Sequence, residues 1–256
     1  MQQILLVEGS TMFGRVIKKR LEGAFDLPVF WVKTLRETLD LLKQPEGSFS
    51  MALLGMNLTD APHGEVIREV AKRGISTIVL ASNISAEVRE LIWSEKIADY
   101  ILKDDPNSVD YVVAAMARLF ANEKRMILVV DSDDTDRTTI AELLYTQRYR
   151  VVTAKDGATA LNILERQPEV RLLITAYDLP DMNGCTLCRK IREAKTFKNL
   201  AILGFSTLVV SEIGARLLKS GATDIITRES YLLEEFFARV HRCIESVDTV
   251  NQQTQI

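Results

Sequence analysis

Leu172-Leu173-Ile174-Thr175 is a short apolar run that leads into the loop Leu179-Pro180-Asp181-Met182-Asn183-Gly184. The run is too short for a helix and has no polar alternation, so it reads as a strand covered on both faces, the condition of a parallel sheet between helices. The first half holds its counterpart, Met51-Ala52-Leu53-Leu54 ahead of Leu58-Thr59-Asp60-Ala61-Pro62-His63-Gly64. Further strands are expected at 4–7, 28–32, 77–80 and 100–102, and again at 127–130, 150–153, 201–205 and 224–227. Segments with apolar residues at helical spacing separate them: 12–22, 35–44, 65–72, 86–97 and 109–122, then 139–147, 158–167, 187–193, 213–219 and 232–247. The order is five βα units and the same five again, at an offset of about 123 residues. The predicted class is α/β, with two tandem (βα)5 domains, each a five-stranded parallel sheet with helices on both faces. The domains are expected at 1–123 and 124–247, joined at Glu123-Lys124-Arg125 without a flexible linker, and followed by a polar tail at 248–256.

Charge and composition exclude several functions. The 256 residues carry 32 Lys+Arg against 35 Asp+Glu, a net charge of -3, which leaves no electrostatic footprint for nucleic acid. The Lys18-Lys19-Arg20 run reads as a solvated helix face. No apolar stretch approaches the twenty or so residues of a membrane span, and Met1-Gln2-Gln3 lacks the charged start of a secretory signal, so a cytoplasmic location without membrane contact is expected. Cys185, Cys188 and Cys243 are an odd number of cysteines and read as reduced thiols. Cys185-Thr186-Leu187-Cys188 has metal-site spacing, but zinc requires two further ligands and His63 and His241 sit in no matching motif, so structural thiols are expected. Glycine-rich phosphate loops and hydrolase triads are absent, and the chain is not expected to be an enzyme.

The duplicated (βα)5 order and the loop at 179–184 resemble the receiver domain of two-component response regulators, a flavodoxin-like, CheY-like fold. The second half adds Val129-Val130-Asp131, Lys155-Asp156-Gly157 and Gly221-Ala222-Thr223-Asp224. The first adds Val7-Glu8 and Asp99-Tyr100-Ile101-Leu102-Lys103. The resemblance implies an aspartate at the end of the third strand that takes a phosphoryl group from a histidine kinase. Two acids after the first strand then hold magnesium, and a hydroxyl after the fourth strand and a lysine after the fifth receive the phosphoryl oxygens.

Set against that pattern, both halves are depleted. The acceptor positions hold Gly55 and Ala176. The acidic pairs are reduced to Glu8 with Gly9 and to Asp131 with Ser132. The hydroxyl positions hold Ala81 and Ser206, and the lysine positions hold Lys103 and Arg228, of which only Lys103 matches the family. The switch aromatic is present as Tyr100 but replaced by Ile225. Asp178 reads as an ordinary loop aspartate. With no phosphate to bind, Lys103 is expected to rest against Glu8 in a partly exposed pair of roughly 0 to 1 kcal/mol.

The expected function is a phosphorylation-independent signalling module of two pseudo-receivers, with no metal and no cofactor, that acts through a protein partner or self-association. The face built by helix 4, strand 5 and helix 5 of the first half is the expected surface, with Trp93 either its exposed anchor or buried in the core of its own domain. The alternative is the regulatory part of a receiver-receiver-GGDEF diguanylate cyclase, since the tandem order resembles the receiver pair that precedes such domains.

Overall fold

The computed structural model describes residues 2–43, 45, 48–83, 85–206, 211–227 and 233–253. In the first half the elements are β1 (Gln3–Val7), α1 (Thr11–Ala24), β2 (Val29–Val32), α2 (Leu35–Leu41), β3 (Phe49–Gly55), α3 (Glu65–Ala71), β4 (Ser76–Ala81), α4 (Ala86–Ser94), β5 (Asp99–Leu102) and α5 (Ser108–Asn122). The second half follows with β6 (Met126–Val130), α6 (Asp134–Thr146), β7 (Arg150–Ala154), α7 (Gly157–Arg166), β8 (Val170–Ala176), α8 (Gly184–Ala194), β9 (Ala201–Ser206), α9 (Ser211–Lys219), β10 (Asp224–Thr227) and α10 (Leu233–Gln253). Each half forms its own parallel sheet, in the order β2-β1-β3-β4-β5 and β7-β6-β8-β9-β10. This is the flavodoxin-like order, which reverses direction beside the first strand.

Strand periodicity explains why both faces are apolar. In β1, Ile4 and Leu6 enter one core with Ile17, Leu21, Met116 and Leu119 from α1 and α5. Leu5 and Val7 enter the other, with Val66, Ile67 and Val70 of α3 and Leu91 of α4. Successive side chains point to opposite faces, so a strand between two helical layers must be apolar at every position. The second sheet divides in the same way, with Leu128 and Val130 on the α7–α9 side and Ile127 and Val129 on the α6 and α10 side.

Two elements differ from the sequence reading. Helix α6 begins at Asp134, ahead of the expected 139, because Asp134 and Asp136 suit the positive end of the helix dipole although they add no apolar periodicity. Asp133 accepts from Asp136 N at 2.9 Å and opens the helix. Helix α10 passes the expected end at 247 and runs to Gln253. Arg125 pairs with Asp248 at 2.6 Å, and the Thr249 hydroxyl donates to Glu245 O, so polar contacts continue the helix after the apolar stripe ends at Val247.

A tertiary cap recurs in both halves. The Asp60 carboxylate accepts from Leu35 N and Arg36 N, and Asp181 accepts from Gly157 N and Ala158 N, each reaching from the loop after the third strand to the start of the second helix. With Thr34 and Asp156 accepting from the next free N–H, the first three amides of both helices are satisfied. The Leu35 amide and then that of Arg36 hold the Asp60 carboxyl below its ordinary range, and the Gly157 amide does most to lower that of Asp181. A depressed folded pKa contributes stability that is present above the unfolded value of about 4 and is lost as pH falls through the folded one. Asp60→Asn with Asp181→Asn is therefore expected to lower stability at pH 7, with the gap to the parent closing below about pH 4. Urea unfolding as a function of pH checks this, and a gap that stays constant down to acid pH contradicts it.

Candidate functional site

The carboxyl ends of β1, β3, β4 and β5 bring Glu8, Gly55, Ala81 and Lys103 together in the first half. Lys103 follows β5, and its N–H donates to Ala81 O at 2.9 Å. Lys103 Nζ lies 2.7 Å from Glu8 Oε2 and also sits 5.8 Å from the centre of the Phe13 ring. Glu8 Oε1 accepts from Ser10 N at 2.8 Å. Both carboxylate oxygens are thus engaged by groups of this chain.

The expected pair is formed, but its setting differs from the expectation. Glu8 is 2% exposed and the Lys103 side chain 19%, so the pair is partly exposed on its lysine side only, and the surface value of about 0 to 1 kcal/mol does not cover the buried carboxylate. Its energy lies instead in the cost of leaving either charge alone in the interior. Gly55 makes room for it: a Cβ at this position would stand 2.9 Å from Glu8 Oε2 and 3.5 Å from Lys103 Nζ. Gly9 is in a different situation, with only Lys33 O within 4 Å of a Cβ, at 3.9 Å. Tyr100 is half-buried against the α2–α4 core.

In the second half Asp131 is buried and its Oδ1 accepts from Asp133 N at 3.0 Å. Ser132 is exposed, and Ala176 ends β8 with its methyl nearly buried. Ser206 ends β9 beside Thr227 of β10. Ile225 packs against the α7–α9 core, close over Gly214. Arg228 lies outside the described residues. Asp178 is exposed in the loop after β8, where its backbone bridges to Asn183.

One arrangement at the site was not visible in the sequence. The Glu8 carbonyl at the end of β1 accepts from the Trp31 indole N–H at 3.0 Å, and the corresponding Asp131 carbonyl accepts from Arg137 Nη1 at 2.7 Å. The donor comes from β2 in one half and from α6 in the other. The exchange is steric as well, because Gly14, the counterpart of Arg137, leaves the space that the Trp31 ring fills: a Cβ there would stand 2.4 Å from the indole. A buried carbonyl needs a partner, and each half supplies one by a different route.

The resemblance implies magnesium at these residues. It needs several oxygens in octahedral geometry. In the first half Gly9 and Gly55 offer no side-chain oxygen, and those of Glu8 face an amide and an ammonium. In the second, Asp131 is the one carboxylate among positions 131, 132 and 176. No group of three or more His, Cys, Asp or Glu that could hold a metal occurs among the described residues. The residues present do not fit magnesium. Cys185 and Cys188 are buried in α8, and burial pushes the Cys188 thiol up to about 12.

Comparison with known proteins agrees with the fold. The sequence model of the response regulator receiver domain matches residues 127–240. The two-component response regulator ORR11 of rice, Oryza sativa subsp. indica, is 33% identical over 102 residues, 40% of this chain and 69% of that protein. A solved structure of a protein described as a two-component system response regulator/GGDEF domain protein is 31% identical, with a TM-score of 0.84 over 97% of this chain and 100% of that one. A second of the same description is 30% identical, with a TM-score of 0.83 and the same coverage. The chain belongs to the response regulator receiver family, as two tandem receiver folds. No helix among the described residues is long and apolar enough to cross a membrane.

Proposed function

We infer that the chain is a signalling module of two pseudo-receivers, at 1–123 and 124–247, which works through protein contact without being phosphorylated. The engagement of both Glu8 oxygens beside a glycine at the acceptor position carries this reading. Ala176 supports it in the second half, since a methyl group accepts no phosphoryl. Incubation with acetyl phosphate and magnesium is expected to leave the intact mass unchanged. A stoichiometric, base-labile gain in mass would sink the reading and would point first to Asp178.

The contact surface in this reading is the face of α4, β5 and α5. Trp93 is half-buried, so the anchor role expected for it passes to neighbours that reach solvent. Leu102 and Tyr111 are 40% and 50% exposed and border a groove of about 380 Å³ between β5 and α5, where Arg118 pairs with Asp99. Aromatic side chains of this kind anchor interfaces. Tyr111→Glu is expected to weaken self-association at least about tenfold in sedimentation equilibrium while the far-ultraviolet circular dichroism stays unchanged. Equal association constants for variant and parent would remove this face from the account.

A second reading has a specific support: two solved structures that match 97% of this chain carry the GGDEF description. In that reading the chain is the regulatory part of a receiver-receiver-GGDEF diguanylate cyclase. The reading frame downstream of the Ile256 codon tests it directly.

A further inference from the structure

In the first half, a cleft of about 330 Å³ opens between the loop after β3 and the loop after β4. Its walls carry hydrogen-bond donors of several kinds: the guanidinium of Arg68, the imidazole of His63 and the amides of Asn57 and Asn83. Among the described residues no aspartate or glutamate lines it. Two acids stand behind this lining: Glu65 accepts from His63 N at 2.9 Å, and Glu95 lies 3.7 Å from Arg68 Nε, a loose pair in which the Arg68 side chain stays 51% exposed. The rest of the lining is Ser82 and Ser85 together with the apolar Met56, Pro62, Val88 and Leu91.

This composition discriminates between ligands. Without a carboxylate in its lining the cleft offers no negative charge to match a divalent cation. Arg68 presents the planar fork that matches an oxyanion, and amide donors complete its coordination. A bare ion would leave the half-buried Met56 side chain uncovered on its cleft side, whereas a flat apolar group would cover it. The duplication gives an internal contrast, since the counterpart of Asn57 in the second half is Asp178, whose charge repels an anion. The geometry points to this cleft as a binding site, confined to the first half, for a small organic oxyanion that carries a flat apolar group.

Phenyl phosphate is the probe, and the protein contains a built-in reporter because His63 and His241 are its two histidines. The imidazole C–H signals of His63 in the intact chain are expected to shift saturably in proton NMR as phenyl phosphate is added at constant pH and ionic strength. Those of His241 should stay in place. Inorganic phosphate should bind about tenfold more weakly, because it leaves the apolar lining uncovered. Arg68→Gln and Asn57→Asp, both at solvent-exposed side chains, should each weaken phenyl phosphate at least about tenfold with an unchanged circular dichroism spectrum. The proposal is overturned if the His63 shift does not saturate. Equal affinity for the two phosphates, which marks an adventitious ion only, or unchanged affinity in both variants overturns it as well.

Discussion

Lys103→Met is expected to destabilise the first domain by about 3 to 5 kcal/mol, the cost of leaving a buried carboxylate without its counter-charge. Glu8 is 2% exposed, so water cannot replace the lost ammonium. The double variant Glu8→Gln with Lys103→Met should recover most of the loss, since a neutral amide keeps the bond from Ser10 N and needs no partner charge. Trp31 and Trp93 both lie in the first domain, so tryptophan fluorescence during urea unfolding reports on this domain alone. A loss below about 1 kcal/mol for the single variant would mean that the pair behaves as a surface salt bridge.

Gly55→Asp is the second large effect. It places a Cβ 2.9 Å from Glu8 Oε2 and adds a carboxylate to a space that the ion pair already fills. Like charges about 4 Å apart repel by up to roughly 4 kcal/mol at an effective dielectric near 20, and attraction to Lys103 offsets only part of this. A loss of about 2 to 4 kcal/mol is expected, with no recovery on adding magnesium, because the lysine ammonium stands against Glu8 where a metal would bind. Ala176→Asp should cost less, because a Cβ is already accommodated there, and magnesium should restore part of the loss by binding the folded state alone. Calorimetry separates the two domains, and recovery of Gly55→Asp by magnesium would show that the first pocket still accepts a metal.

These two effects sit at opposite ends of what the sequence could tell. Gly55 and Lys103 were legible one at a time, from their place after β3 and β5 in a repeated pattern. Their contact was expected from the absent phosphate, but its burial was not, because exposure depends on what packs over the pair. The Ser10 amide and the Phe13 ring close around Glu8 and Lys103 only after α1 has docked.

Trp93 shows the limit from the other side. Its position on α4 was correct, yet no periodicity distinguishes an exposed tryptophan from a half-buried one when apolar residues crowd the same turn. Leu102 and Tyr111, less conspicuous in the sequence, hold the exposed positions.

The sequence by itself determined the duplication, the α/β class, the strand order implied by the family, and which chemical groups the two pockets lack. Those properties follow from local patterns, namely short apolar runs, helical spacing and side-chain identity at fixed places along the chain. Tertiary structure alone decided how each half satisfies what remains. The carbonyl at the end of the first strand takes its donor from Trp31 in one domain and from Arg137 in the other, and Asp60 and Asp181 reach across a loop to cap a helix. Such partners lie far apart along the chain, and the choice between them rests on volume, as when the missing side chain of Gly14 admits an indole. Sequence spacing carries no record of that volume until the helices have packed onto the sheet.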